Sequence, residues 1–156
     1  MLYIWMPEAN GVWRWSEGEF WKQSTSLDQM IQDLQLFQGK DAIVFFPSNY
    51  IQLIQQSLAK SQYKKLGPEG VKYLLEEFVI LPLDHMKVLH HFEQPDLLTV
   101  MGIANTTSEM MQHSLALLPV KIQALLPDFL LLPVPEVHQT VIVNFDGRLL
   151  IRENEF

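Results

Sequence analysis

The sequence predicts a mixed α/β fold made of two lobes, and three observations indicate it. Three strand-like segments come first, followed by an amphipathic helix that stops at Gly39 and by the apolar strand Asp41–Phe46. A polar, basic connector at residues 59–66 then precedes a second helix and two further strands. The chain has 156 residues, 48% of them hydrophobic. That is enough apolar material for a core in each of two small lobes.

The elements of the first lobe are predicted from alternation, turn residues and capping. The first three strands are Leu2–Met6, Val12–Ser16 and Phe20–Gln23, with Asn10-Gly11 and Glu17-Gly18 as tight turns between them. Ser26 is expected to cap the helix, with Gln29 completing a capping box. Because Asp41–Phe46 is almost continuously apolar, it is predicted to be a central strand buried on both faces. The segment Tyr50–Leu58 is predicted to be a further strand.

The segment Gly67–Ile80 predicts a short amphipathic helix, Pro68–Val79. Proline is tolerated at the first helical position because its missing N–H would be unpaired there anyway. Apolar residues at i, i+3, i+4 and i+7 form one face, namely Val71, Leu74, Leu75 and Phe78. The other face places an aromatic ring beside two carboxylates, Tyr73 with Glu76 and Glu77. On its own, such an acidic pair is typical of a solvated helix face.

Composition excludes several function classes. The formal net charge of −7 argues against nucleic acid, whose binding needs Lys and Arg to neutralise phosphates. The same charge disfavours an anionic membrane surface. The sequence has no cysteine, which excludes disulfides, thiolate zinc sites and a cysteine nucleophile. No apolar run reaches the roughly 18 residues that a membrane-spanning helix needs.

No catalytic, cofactor-binding or metal-ligating residues are predicted. The turn at residues 7–11 contains one glycine, and the Asp-Gly in Asn144–Arg148 is typical of an ordinary hairpin rather than of a phosphate-binding turn. His90 and His91 point to opposite faces of a predicted strand and cannot easily chelate one ion. Four tryptophans on the first strands are interpreted mainly as sheet packing. Trp13 and Trp15 share one face, so an exposed pair there is a candidate contact surface.

Two motifs and their order indicate a family. The Y-L-L-E-E helix, with Leu81-Pro82-Leu83-Asp84 and a strand at Met86–Phe92 after it, resembles the cytoplasmic domain of the L protein of bacterial type II secretion systems (GspL). Leu125–Pro133 resembles that family's L-x-P-D-x-L-L-L-P segment, and a hairpin at Val141–Ile151 follows it, as in the family. The order of elements agrees from about Leu2 to Arg152. Lys72 departs from the pattern, because many relatives have proline there.

The resemblance implies an actin-like fold whose first lobe is ribonuclease H-like. The expected domains are residues 1–60 for that lobe, 61–135 for a second small α/β lobe, and 136–156 for a hairpin that returns to the actin-like core. Relatives continue with more sheet, a membrane-spanning helix and a periplasmic domain. The chain is therefore expected to be an N-terminal fragment at the cytoplasmic face of the bacterial inner membrane.

The resemblance also implies a non-enzymatic scaffold that binds the cytoplasmic secretion ATPase, GspE, through the N-terminal domain of that ATPase. GspM, GspC and GspF are the other expected partners of the full-length protein, and a homodimer stays possible. The contact is expected on the second helix and the segment after it, at Tyr73, Glu76, Glu77, Leu81, Pro82, Asp84 and Met86. Two alternatives stay open: an actin-like nucleotide sensor and an unrelated protein-interaction adaptor.

Overall fold

The structure is a computed structural model, and it describes residues 1–8, 11–145 and 148–153. The chain divides into two compact units. Unit 1 comprises Met1–Ser48 and Ser114–Phe156, and unit 2 comprises Asn49–His113. Unit 1 contains a five-stranded and a two-stranded sheet, and unit 2 contains a three-stranded sheet.

The described residues form strands, α-helices and short 3₁₀-helices. The strands are β1 (Leu2–Trp5), β2 (Trp13–Ser16), β3 (Lys22–Ser24), β4 (Asp41–Phe46), β5 (Ile51–Ser57), β6 (Met86–Glu93), β7 (Leu97–Ala104), β8 (Lys121–Pro127), β9 (Thr140–Phe145) and β10 (Arg148–Glu153). The α-helices are α1 (Leu27–Asp33), α2 (Lys60–Tyr73) and α3 (Asn105–Ala116). The 3₁₀-helices are Leu34–Phe37, Ser48–Tyr50, Glu76–Phe78, Leu83–His85 and Asp128–Leu131.

A five-stranded mixed sheet forms the centre of unit 1. Its strand order is β3-β2-β1-β4-β8, in which the first three strands are antiparallel and β1, β4 and β8 are parallel. Val44 of the central strand β4 pairs with Ile4 of β1 and Leu125 of β8. Both Val44 and Ile4 have 0% exposure, as does Met30 of α1. The predicted mixed α/β class with a ribonuclease H-like lobe is confirmed.

The capping box that the sequence predicts at α1 is only half formed. The Ser26 hydroxyl accepts a hydrogen bond from the backbone N–H of Gln29 at 3.1 Å, which makes Ser26 the N-cap. The Gln29 side chain, however, donates to Asp33 Oδ1 at 2.8 Å. This bond joins residues four apart on the helix surface, where side chains are neighbours. The second half of the box is therefore replaced by a contact within the helix.

Unit 2 is built on an antiparallel three-stranded sheet, β5-β7-β6. Its core cluster comprises Val71 and Leu75 from the α2 region and Leu98 and Val100 from β7. Because β7 is the central strand, its alternate side chains carry the core, while β6 lies at one edge of the sheet. The predicted strands Met86–Phe92 and Leu97–Ala104 are close to the observed β6 and β7.

The second helix differs from the prediction at both ends. The predicted connector at residues 59–66 is helical, because α2 begins at Lys60. Gly67 interrupts it with φ 64° and ψ 176°, a conformation that glycine adopts without steric cost, and Pro68 then opens a second helical segment. That segment ends at Tyr73 instead of Val79. Phe78 consequently lies in a separate 3₁₀-helix and is 53% exposed, so it does not extend the buried face.

The boundaries of the two units differ from the predicted domain ranges, which are 1–60, 61–135 and 136–156. Strand β5, which was expected in the first lobe, pairs with β7 of unit 2 along its whole length. Strand β8, which was expected in the second lobe, pairs in parallel with β4 of unit 1. Backbone pairing with distant strands therefore decides the boundary, and the polar composition near residue 60 belongs to a helix.

The predicted hairpin is present in unit 1 as the antiparallel pair β9–β10. Its Asp146-Gly147 turn lies outside the described residues. Leu150 is buried at 3% exposure, and the Arg152 guanidinium donates to the carbonyl oxygens of Leu130 and Leu132 at 3.3 and 2.6 Å. These bonds fix β10 to the chain that follows β8.

The buried carboxylate of Asp128 joins several elements of unit 1. Its Oδ1 accepts hydrogen bonds from the backbone N–H and the hydroxyl of Ser48, at 3.0 and 2.6 Å. Its Oδ2 accepts from Trp5 Nε1 and from Arg148 Nη2, each at 3.1 Å. Asp128 has 0% exposure, and a buried charge is tolerated only when it is paired and hydrogen-bonded. In the sequence, Asp128 stands out only as part of a family motif.

Replacing Asp128 by alanine is expected to lower the free energy of unfolding by about 3–5 kcal/mol, because the donors of Ser48 and Trp5 lose their acceptor and Arg148 loses one of its two ion pairs, keeping the one with Glu8. Urea unfolding followed by circular dichroism measures the change. Asp41→Ala is the matched control: Asp41 is exposed and accepts one hydrogen bond from Gln123 at 2.9 Å. The control is expected to change stability by no more than about 0.5 kcal/mol. Equal effects of the two substitutions would contradict the assigned role of Asp128.

A second polar chain links β2, β3 and α1. Trp15 Nε1 donates to the Ser24 hydroxyl at 3.3 Å, and that hydroxyl donates to Asp33 Oδ2 at 2.6 Å. The hydrogen bonds from Ser24 and then from Gln29 hold the pKa of Asp33 below its usual range, because they stabilise the charged form. Ionised Asp33 therefore stabilises the fold above its unfolded-state pKa, and this stabilisation is lost as the pH falls through the lower folded-state pKa.

Ser24→Ala is expected to raise the pKa of Asp33 toward its ordinary value, because the largest cause of the lowering is removed. A carbon-13 NMR titration of the Asp33 carboxyl measures the shift. Ser26→Ala is the control, since Ser26 bonds to the backbone of Gln29 and not to Asp33. An unchanged Asp33 pKa in Ser24→Ala would show that this hydroxyl does not stabilise the carboxylate.

Candidate functional site

The predicted contact residues of unit 2 lie along a single stretch of chain after α2. Tyr73 ends the helix and is 59% exposed. Glu76 and Glu77 begin the next 3₁₀-helix, and both are exposed. Further along, Leu81, Pro82 and Asp84 are also exposed. The structure therefore presents six of the seven predicted residues to solvent, on an irregular segment and not on one helix face.

Met86 is the exception among the predicted contact residues. It is the first residue of β6 and is buried at 9% exposure, so it offers little surface to a partner. The reason is its register: Met86 pairs with Ala104 at the end of β7. Its methyl group lies close to Gly102, where an added Cβ would meet Met86 Cε at 3.0 Å. Met86 lines a groove of unit 2, so a partner can reach it only through that groove, and its role as an apolar contact stays a prediction.

The segment Phe78–Leu81 carries exposed apolar side chains that the sequence analysis did not select, except for Leu81. Phe78, Ile80 and Leu81 are 53%, 103% and 45% exposed. The chain is extended here: Val79 has φ −126° and ψ 147°, and Pro82 follows. In the sequence, the apolar run Phe78-Val79-Ile80-Leu81-Pro82 is the signal for this surface. Because Phe78 also continues the apolar periodicity of the predicted helix, the helix is predicted to extend to Val79.

A groove of about 260 Å³ opens beside this segment within unit 2. One wall is Phe78–Leu81, the opposite wall is Asn49–Gln52, and the base contains Met86, Gly102 and Ala104. At Gly102 an added Cβ would lie 2.8 Å from Leu75 Cδ1, so only glycine fits this position without movement. The side chains of Leu75 and Met86 therefore already fill the space beside Gly102.

Charge around the groove is mainly negative. Residues 69–87 contain four carboxylates, those of Glu69, Glu76, Glu77 and Asp84, against two ammonium groups, those of Lys72 and Lys87. The backbone carbonyl of Asp84 accepts a hydrogen bond from Asn105 Nδ2 at 3.4 Å, which connects this 3₁₀-helix to the start of α3. The Asp84 side chain stays exposed. The site combines exposed apolar groups with flanking negative charge.

The other residues that the sequence singled out, the histidines and the tryptophans, include His90, Trp13 and Trp15, and these three pack against neighbouring side chains or lie in the core. His90 lies 3.1 Å from the Tyr63 hydroxyl, and the Tyr63 ring stacks on Phe92 with centroids 4.5 Å apart. These rings join α2 to the edge strand β6. Trp13 and Trp15 are buried at 6% and 7% exposure, so the contact surface considered for that pair does not exist. The described residues contain no group of His, Asp and Glu side chains able to hold a metal ion.

Comparison with solved structures shows the fold. The cytoplasmic domain of EpsL, an inner membrane component of the type II secretion system of Vibrio cholerae, matches with a TM-score of 0.75 and 17% identity. The match covers 97% of this chain and 66% of that one, so the chain spans about two thirds of its length. A chain of the PilM–PilN type IV pilus biogenesis complex matches with a TM-score of 0.59 and 11% identity, over 82% of this chain and 47% of that one. No curated protein sequence matches.

These likenesses place the chain in the class of mixed α/β domains that the sequence predicts. The family follows from the sequence: the model of type II secretion system protein L matches residues 8–156. The chain belongs to this family and is a component of a type II secretion system. In the described residues, no helix is long and apolar enough to span a membrane.

Proposed function

We propose that the chain is a non-enzymatic scaffold that binds the N-terminal domain of the cytoplasmic secretion ATPase, GspE, through unit 2. Membership of the protein L family supports a role in the secretion apparatus. The observation that carries the proposal is the exposed acidic and apolar stretch from Tyr73 to Asp84. Side chains such as Ile80, at 103% exposure, are better explained by a partner than by the fold of unit 2.

The acidic and the apolar side chains of this stretch contribute to binding in different ways. Glu76, Glu77 and Asp84 attract basic residues of the partner and steer association, as charges at an interface rim do. Tyr73, Ile80, Leu81 and Pro82 supply the apolar centre, where binding energy concentrates. Tyr73 suits this position because a tyrosine buries a large apolar ring and keeps its hydroxyl available for a hydrogen bond.

The mechanism that we propose is mechanical coupling. Conformational changes of the ATPase reach the membrane platform only if the scaffold holds the ATPase throughout its cycle. The domain then lies at the cytoplasmic face of the inner membrane, anchored by a helix in the longer protein. GspM, GspC and GspF are proposed as partners of that longer protein, through parts outside this chain. The resulting complex serves the export of folded proteins.

Reversing both acidic charges in Glu76→Lys/Glu77→Lys is expected to slow association with the ATPase domain about tenfold at low salt, because steering by these charges is lost. Stopped-flow or biolayer measurements at low and high ionic strength test this, and the difference should shrink at high salt. The matched control is Glu19→Lys/Glu93→Lys, which changes the net charge equally at exposed sites outside the stretch. Equal association rates for both double variants at low salt would contradict the placement.

A further inference from the structure

The base of the groove in unit 2 is shaped to receive a side chain. Leu75 and Met86 close the space below Gly102, and Ala104 continues the same face of β7 two residues further on. The helix α2 ends at Tyr73, and Phe78–Leu81, a few residues further along the chain, line the groove. Most of the lining residues are apolar, and Asn49, Tyr50 and Gln52 add polar groups.

The size of the groove argues for one large side chain and against a cofactor. Its volume of about 260 Å³ lies below the roughly 300–1,000 Å³ typical of small-molecule sites. Its base consists of Met86, Gly102 and Ala104, with no charged group among the lining residues. A leucine, isoleucine or phenylalanine side chain would bury its surface there, and a phosphate would find no cation.

The surroundings of the groove indicate what lies next to that side chain in the partner. Glu76 and Glu77 directly precede the groove residue Phe78, and Asp84 lies two residues before Met86. All three carboxylates are exposed. We infer that the groove anchors a single large apolar side chain of the partner, flanked in the partner by Lys or Arg residues. This inference rests on the proposed function, and it places the main apolar contact with the ATPase domain in the groove.

Filling the groove tests the inference. Ala104→Leu places extra side-chain volume at the base, and the affinity for the N-terminal domain of the cognate secretion ATPase is expected to fall about 30-fold, the loss typical of a hot-spot contact. Ala59→Leu adds the same atoms at an exposed position outside the groove and is expected to bind like the wild type. Isothermal titration calorimetry measures the affinities, and thermal unfolding confirms that both variants are folded.

A second measurement uses the wild-type chain and does not depend on a variant that folds. With carbon-13-labelled methionine methyl groups, addition of the ATPase domain is expected to shift the Met86 resonance, since Met86 lines the groove. The resonance of Met30, which has 0% exposure in unit 1, is expected to stay in place. Substitution of Met86 by leucine assigns its signal.

The outcomes separate the inference from the proposed function. If the wild-type chain does not bind the ATPase domain, the proposed function is overturned and the inference with it. If the wild type and Ala104→Leu bind equally and the Met86 methyl signal does not move, only the groove assignment is overturned. A Met86 shift that depends on the concentration of the chain alone, together with a dimer in sedimentation, would assign the groove to a second copy and also overturn it.

Discussion

Burial of the Asp128 carboxylate constrains the whole of unit 1. A charge with 0% exposure must be compensated, and its donors come from the ends of β1 and β4 and from β10. The Ser48 hydroxyl also accepts a hydrogen bond from the backbone N–H of Phe129 at 3.0 Å. Ser48 therefore bonds to both the Asp128 side chain and the backbone of the next residue, and these bonds hold the turn after β8. The hairpin β9–β10 is thereby held on the parallel part of the sheet through Arg148. An apolar residue at 128 could not specify this arrangement, because apolar contacts are non-directional.

Unit 2 depends on a different constraint, the backbone at Gly67. Its positive φ allows Pro68 to begin a new helical segment, which carries Val71 into the core cluster with Leu98 and Val100. The segment is short, so the chain leaves the helix at Tyr73 and crosses the end of the sheet as irregular structure. The exposed stretch and the groove both follow from this early end.

The sequence predicted the elements better than their grouping. Strands with a strong local signal, such as Asp41–Phe46, lie where expected, because their burial is encoded in continuous apolar composition. The divisions of the chain after Ser48 and after His113 could not be predicted, since they depend on the pairing of β5 with β7 and of β8 with β4 across distant parts of the chain. The apolar periodicity also predicted a second helix that is longer than the observed one, with Phe78 on its buried face. The proposed contact residues rest on the family resemblance, whereas the burial of Met86 follows from its register with Ala104.

We propose that unit 2 provides the docking surface for the secretion ATPase, and calorimetric titration of the folded chain with the N-terminal domain of its cognate ATPase tests this proposal. We expect one-to-one binding of micromolar or tighter affinity, with a dissociation constant that rises with ionic strength because of the acidic residues around the apolar contact. Absence of a binding heat for a chain shown to be folded, confirmed by a second method such as sedimentation of the mixture, would contradict it.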